Sequence, residues 1–178
     1  MRQLLLLRHA KSSWDDASIP DRDRPLNARG RRAAIAMRQA IRDLGLCPDV
    51  VLVSTARRTL ETLEALEPWD ETPLIEPMDS LYLANPMQIG AALHGVAETV
   101  RSVMLIGHNP GLHDFAVSLV GPRTMSAGGV NERALAQGFP TAALAEFTIA
   151  GAWWDLREGG GRLVRFLTPR MLEAAGSS

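Results

Sequence analysis

Four leucines, Leu4 to Leu7, run from a polar start straight into Arg8 and His9. A short apolar run without alternation fits a strand buried on both faces, as in a parallel sheet. The pattern returns at Val50-Val51-Leu52-Val53 and Val103-Met104-Leu105-Ile106, with a shorter piece at Leu74-Ile75. Between these runs the apolar spacing becomes that of a helix. Asn27 is placed to cap a helix reaching about residue 44, with Ala33, Ala34, Met37, Ile41 and Leu44 on one face. Gly45 and then Pro48 close it. A second helix begins within Ser54-Thr55-Ala56-Arg57-Arg58 and reaches about residue 66. Pro86 suits the first position of a third, expected to extend to about residue 100. A fourth follows Gly107-His108-Asn109-Pro110-Gly111 and ends near residue 120.

The remaining segments read differently. Residues 12–23 are polar and hold Pro20, so a loop is expected, and Asp21-Arg22-Asp23-Arg24 within it reads as exposed charge with weak internal pairs. Residues 121–138 read as an irregular excursion with a short helix near 132–137. Residues 141–149 and 162–167 read as two antiparallel strands joined by a loop holding Trp153 and Trp154, both taken as packing residues. His94 and His113 lie inside helical patterns and read as structural. A frayed tail is expected over 174–178. Alternating strands and helices predict a three-layer α/β/α sandwich. Its central sheet is mostly parallel with an antiparallel edge, in one domain over residues 1–173.

Composition narrows the function classes. At 178 residues with 46% hydrophobic and 22% charged positions, the chain is an ordinary globular one with room for a full core. A net charge of −1 argues against a general binder of nucleic acid or acidic membrane. The one cysteine, Cys47, excludes an internal disulfide and reads as a small packing residue between helix and strand. No apolar run is long enough to span a bilayer or form a signal-peptide core, which favours the cytoplasm.

The chemistry gathers where strands end. In open α/β folds ligands sit at the carboxyl edge of the sheet. Three predicted strands deliver polar residues there: Arg8 and His9, Arg57 or Arg58, and His108. Two arginines can clamp a phosphoryl group through bidentate hydrogen bonds, and two histidines add a nucleophile and a donor. The competing reading is a metal held by His9, His108 and a carboxylate. Arginines beside a divalent cation are electrostatically unfavourable, so the phosphate reading is preferred, with no cofactor.

In its order of motifs the chain resembles the histidine phosphatase superfamily, which has the phosphoglycerate mutase-like fold. Arg8-His9-Ala10 after a leading strand is similar to its Arg-His-Gly signature. Ser54-x-x-x-Arg58-x-x-x-Thr62 resembles its second arginine motif, and Gly107-His108 its second histidine. Asp21-x-Asp23-Arg24-Pro25-Leu26, Leu81-Tyr82 and Gly107-His108-Asn109-Pro110-Gly111 resemble the small SixA-like phosphohistidine phosphatase branch. The resemblance implies that His9 is the nucleophile and that Arg8, Arg58 and His108 hold the phosphate, with Ser12 and Asn109 beside it. Spacing to Thr62 selects Arg58 over Arg57. Asp15 stands where many members have asparagine, and a carboxylate there would repel phosphate unless turned away or paired. Larger members carry a glutamate acid that is missing here, leaving Asp79 as a weak substitute.

The function implied is a metal-independent phosphohydrolase working through a phosphohistidine intermediate on a phosphorylated protein, as a cytoplasmic monomer. The alternatives are a small-molecule phosphatase or phosphomutase of the same fold, and a phosphate-binding module without turnover.

Overall fold

The computed structural model describes residues 1–177. Six strands form one sheet: β1 (Arg2–Arg8), β2 (Val50–Ser54), β3 (Leu74–Met78), β4 (Ser102–Gly107), β5 (Leu144–Ile149) and β6 (Gly161–Leu167). Their order across the sheet is β3-β2-β4-β1-β5-β6. β1, β2, β3 and β4 pair in parallel, and β5 pairs antiparallel with β1 and β6. The expected mixed sheet with an antiparallel edge is therefore present.

Alternation of side chains across the central strands produces two cores. Leu4, Leu6, Leu52, Val103 and Leu105 face one layer, and Leu5, Leu7, Val51, Val53, Met104 and Ile106 face the other. All are buried, which is why the sequence shows unbroken apolar runs rather than alternation. Helices α1 (Ala28–Asp43) and α2 (Arg57–Ala65) cover the second face, with α7 (Pro169–Gly176) packed on α1. Helices α3 (Pro86–His94), α4 (Gly111–Val120), α5 (Pro122–Ala127) and α6 (Val130–Gln137) cover the first.

Local signals explain the boundaries. Asn27 caps α1 by accepting a hydrogen bond from the Gly30 N–H at 2.7 Å, and Gly45 leaves the helix at φ 65°. Ala34, Met37 and Ile41 are buried as expected, whereas Leu44 stays 39% exposed because it lies past the last helical turn. Asn85 and Gln88 close a capping box on α3, with Pro86 in the first turn. That helix stops at His94 rather than continuing to residue 100, because Gly95 interrupts it.

Other expectations need correction. The short helix expected near 132–137 is present as α6, but the stretch before it, expected to be irregular, holds a second helix, α5. Pro122 starts α5, and Glu132 caps α6 by accepting from the Gly129 N–H at 2.9 Å. The tail expected to fray from Ala174 is helical to Gly176, since Thr168 caps α7 and Pro169 suits its first turn; Ser178 lies outside the described residues. Cys47 is exposed and is not a packing residue. Trp153 is fully buried, but Trp154 is 66% exposed. His94 and His113 tie helices to the Leu156 and Leu135 carbonyls.

Candidate active site

The site is built by sheet register. Arg8 at the end of β1 pairs with Gly107 at the end of β4, so His9 and His108 leave adjacent strands side by side. Their ring centroids are 5.3 Å apart. β2 flanks β4 on its other side, and Ser54 at its end meets the His108 Nε2 at 2.7 Å. The strand ends thus bring His9, His108 and the start of α2 to one edge. The open cleft there has a volume of about 440 Å³.

The spacing of Ser54, Arg58 and Thr62 now has a physical meaning. Arg58 and Thr62 are one turn apart on α2 and share a face. Both are buried, at 2% and 0% exposure. Thr62 donates its hydroxyl to the Arg58 carbonyl and accepts from the Ala10 N–H at 2.9 Å, which fixes the chain just beyond His9. Thr59 donates to the Ser54 and Ala56 carbonyls and tightens the turn between β2 and α2. Arg57 points elsewhere, exposed and paired with Glu61 at 2.7 Å.

His9 is 7% exposed, and its Nδ1 lies 2.7 Å from the Ala10 carbonyl. A carbonyl can only accept, so Nδ1 carries the proton and Nε2 keeps a free lone pair. Burial is the main reason that its pKa falls to about 4, with Arg58, Arg8 and Arg24 adding repulsion against the Ala10 hydrogen bond. His108 falls to about 3, first from burial and then from His9 and Arg58. Both imidazoles are neutral at pH 7, the state a nucleophile needs.

The cations around them outnumber the one carboxylate that pairs with them, Asp21, among the described residues. Arg8 donates to the Phe139 carbonyl at 3.0 Å, and burial and Arg58 lower its pKa. Arg8 Nε, Arg58 Nε and His108 Nδ1 are buried without a hydrogen-bond partner. Buried polar atoms are nearly always satisfied; an oxyanion is the partner the two guanidinium N–H groups would take, and His108 Nδ1 joins them in the tautomer whose Nε2 accepts from the Ser54 hydroxyl. Asp21 is the sole carboxylate among the described residues lining the cleft. Its pKa is drawn down to about 2, chiefly by the Tyr82 hydroxyl and then by Arg58. Lys11, Arg8, Arg24 and Arg58 leave the cleft with a clear positive excess.

The charged stretch at 21–24 therefore does more than decorate a loop. It forms a 3-10 turn over Asp21–Asp23, and Asp21 accepts from Arg58 at 3.1 Å. Arg24 is 7% exposed and donates to the Ser12 hydroxyl at 2.7 Å. Its guanidinium stacks on Trp14 at 3.5 Å. Asp21, Arg24 and Trp14 line the cleft and were not named as site residues from sequence. The Asp-x-Asp-Arg-Pro-Leu run was the available signal.

The other expected residues divide. Ser12 and Asn109 line the cleft, and Asn109 is oriented by a 2.8 Å bond to the Phe139 carbonyl. Asp15 is exposed and is not among the residues lining the cleft. Asp79 is not among the lining residues either. It accepts from Thr55 at 2.6 Å and pairs with Arg22. These bonds, Thr55 first, hold its carboxyl below the usual range. An ionised carboxylate outside the cleft is badly placed to donate a proton. Among the described residues no group of three or more His, Cys, Asp and Glu is arranged to hold a metal ion.

Comparison with known proteins follows the same residues. The pattern of the histidine phosphatase superfamily (branch 1) matches residues 4–78, which contain His9 and Arg58. The uncharacterized protein Rv1276c of Mycobacterium tuberculosis is 34% identical over 167 residues, 92% of this chain and 100% of that one. This chain belongs to the histidine phosphatase superfamily. Among solved structures, a candidate phosphohistidine phosphatase SixA from Nakamurella multipartitia matches at TM-score 0.82 and 30% identity, covering 94% of this chain and 96% of its own. Another from Agrobacterium tumefaciens matches at TM-score 0.79 and 32% identity, covering 94% and 98%. The chain is a histidine phosphatase of the SixA-like branch, with the phosphoglycerate mutase-like fold. No helix among the described residues is long and apolar enough to cross a membrane.

Proposed function

We propose that this phosphatase removes the phosphoryl group from phosphohistidine in a protein, through a phosphorylated His9. The observation carrying this reading is a buried neutral His9, its Nε2 without a partner among the described residues, in a cationic cleft whose one carboxylate among those residues, Asp21, is held ionised near pKa 2. His9 Nε2 attacks phosphorus as the substrate's P–N bond breaks. Arg8, Arg58 and His108, flanked by Ser12 and Asn109, hold the phosphoryl oxygens. Water then attacks phospho-His9, the second P–N bond breaks and inorganic phosphate leaves.

The cleft offers no poised acid, so the leaving group must depart without one. Imidazole does so readily once protonated from solvent, and an alkoxide does not. The arginines supply the positive charge, so the reaction needs no metal. A general acid typically contributes ~10²–10⁴-fold. Alkyl phosphates should therefore lag phosphoramidates and aryl phosphates by about that factor. A panel of phosphohistidine proteins, phosphoramidates, aryl and alkyl phosphates, run with and without EDTA, tests this. The expected rate rises steeply with leaving-group quality, is unaffected by EDTA, and keeps the same slope in Asp79→Asn. A flat profile would point to an unrecognised acid and to small phosphate esters or a mutase reaction. Activity lost in EDTA and restored by zinc or magnesium would return the metal reading.

A further inference from the structure

Beside the catalytic cleft lies a larger groove of about 1120 Å³, and the two share Lys11 and Thr141 in their walls. It runs between α1, α7 and the chain linking α6 to β5. On α1, Arg29, Arg32, Ala33 and Ala36 fall at i, i+3, i+4 and i+7 and make one stripe along the groove. Lys11, Arg29, Arg32 and Arg170 line it against one carboxylate, Glu173. None of these four cations has a side-chain partner among the described residues. Arg31 and Arg42 on the same helix are paired, with Glu61 and Asp70. In a chain of net charge −1, so one-sided a cluster is not general background. Between the cations the floor is apolar, with Ala33, Ala36 and the 40%-exposed Met171.

We propose that this groove docks an acidic surface segment of the substrate protein, adjacent to its phosphohistidine. The proposal rests on the phosphohistidine reading and adds how a shallow catalytic cleft selects its partner. Acidic side chains on that segment meet Lys11 and the three arginines, and its apolar side chains meet Met171 and the alanines. Because the groove opens beside Lys11, a segment seated there presents its phosphoryl group to His9. Such rim charges act mainly on encounter and KM, and salt screens them.

The test uses two histidine peptides of equal length, one with acidic flanks and one with the matching amides. In fluorescence anisotropy the unphosphorylated acidic peptide should bind the wild type roughly tenfold tighter than the neutral one, as several exposed ion pairs together allow. Salt should erase the difference, and so should the triple variant Arg29→Glu, Arg32→Glu, Arg170→Glu. With phosphorylated peptides the triple variant should raise KM for the acidic one at unchanged kcat. Its turnover of free phosphohistidine should stay at the wild-type level, which also reports an intact fold. If reversal harms folding, Arg29→Gln, Arg32→Gln, Arg170→Gln should give a smaller shift of the same sign. Equal binding of both peptides, or a preference that survives the reversal, overturns the groove. Charge-dependent binding without hydrolysis of any phosphohistidine substrate would leave the groove standing and defeat the functional reading instead.

Discussion

In the proposed reaction His9 is the nucleophile, and two features of different kinds prepare it. The Ala10 carbonyl fixes the proton on Nδ1, and burial among arginines keeps the ring neutral. Arg58 is buried at the cleft, where the proposal has it receive phosphate, while Arg57, one residue earlier, lies on the outside with Glu61. Removing Arg58 should therefore cost roughly 2–4 kcal/mol of transition-state stabilisation, on the scale of an oxyanion-hole donor. Arg57→Ala should change kcat/KM little. Steady-state kinetics on the two variants decide it, and a more sensitive Arg57 would contradict the placement. At this scale the apolar runs pointed to Arg8, His9, His108 and the Arg57-Arg58 pair, and only the family-like spacing to Thr62 selected Arg58. Asp21 and Arg24 showed only as part of the Asp-x-Asp-Arg-Pro-Leu run, without a place in the site. Asp21 is placed by a contact with Arg58, 37 residues away in sequence, and Arg24 by its bond to Ser12, and neither contact is encoded by local spacing.

Elements hold these residues at their stations, and two glycines show how tightly. A Cβ on Gly30 of α1 would sit 2.1 Å from the Lys11 carbonyl oxygen, so α1 presses on the strap that follows His9. A Cβ on Gly111 would meet the Ala84 carbonyl oxygen at 1.8 Å, where α4 begins beside His108. Gly90 of α3 has no such limit, its nearest neighbour being a Phe115 ring carbon at 3.8 Å. Gly30→Ala should destabilise the fold by roughly 1–3 kcal/mol through overpacking. Gly90→Ala should instead stabilise it by about 0.4–1 kcal/mol. Urea unfolding of both variants checks the pair, and equal effects would contradict the close approach. Helices with strong local signals, such as Asn27 with Gly45, were legible in the sequence. α7 had its signal too, in Thr168 and Pro169, but apolar spacing in so short a segment is weak. α6 was legible as the short helix near 132–137, whereas α5 was hidden because its glycine-rich flanks resemble a loop, and packing against α4 supplies its order.

At the scale of the whole molecule, the sheet brings two buried neutral histidines together, and that has a cost in acid. The unfolded chain binds protons on each near the ordinary 6.5, whereas the folded chain refuses them until about 4 for His9 and about 3 for His108. Stability is thus full above pH 6.5 and falls as pH drops through that window. Asp21 adds a loss in the same direction as pH falls from 3.8 through about 2. Thermal unfolding at stepped pH should show Tm declining below 6.5, and the decline between 6.5 and 4 should shrink in a His9→Ala, His108→Ala double variant. A flat profile there would mean that the imidazoles are solvated. The central claim is covalent, and trapping tests it most directly. Wild-type protein mixed with a phosphoryl-labelled substrate and quenched in alkaline detergent should carry the label on His9, released on acidification. His9→Ala should fold, carry no label and turn over nothing. Label on His108, or sustained turnover by folded His9→Ala, would contradict the account.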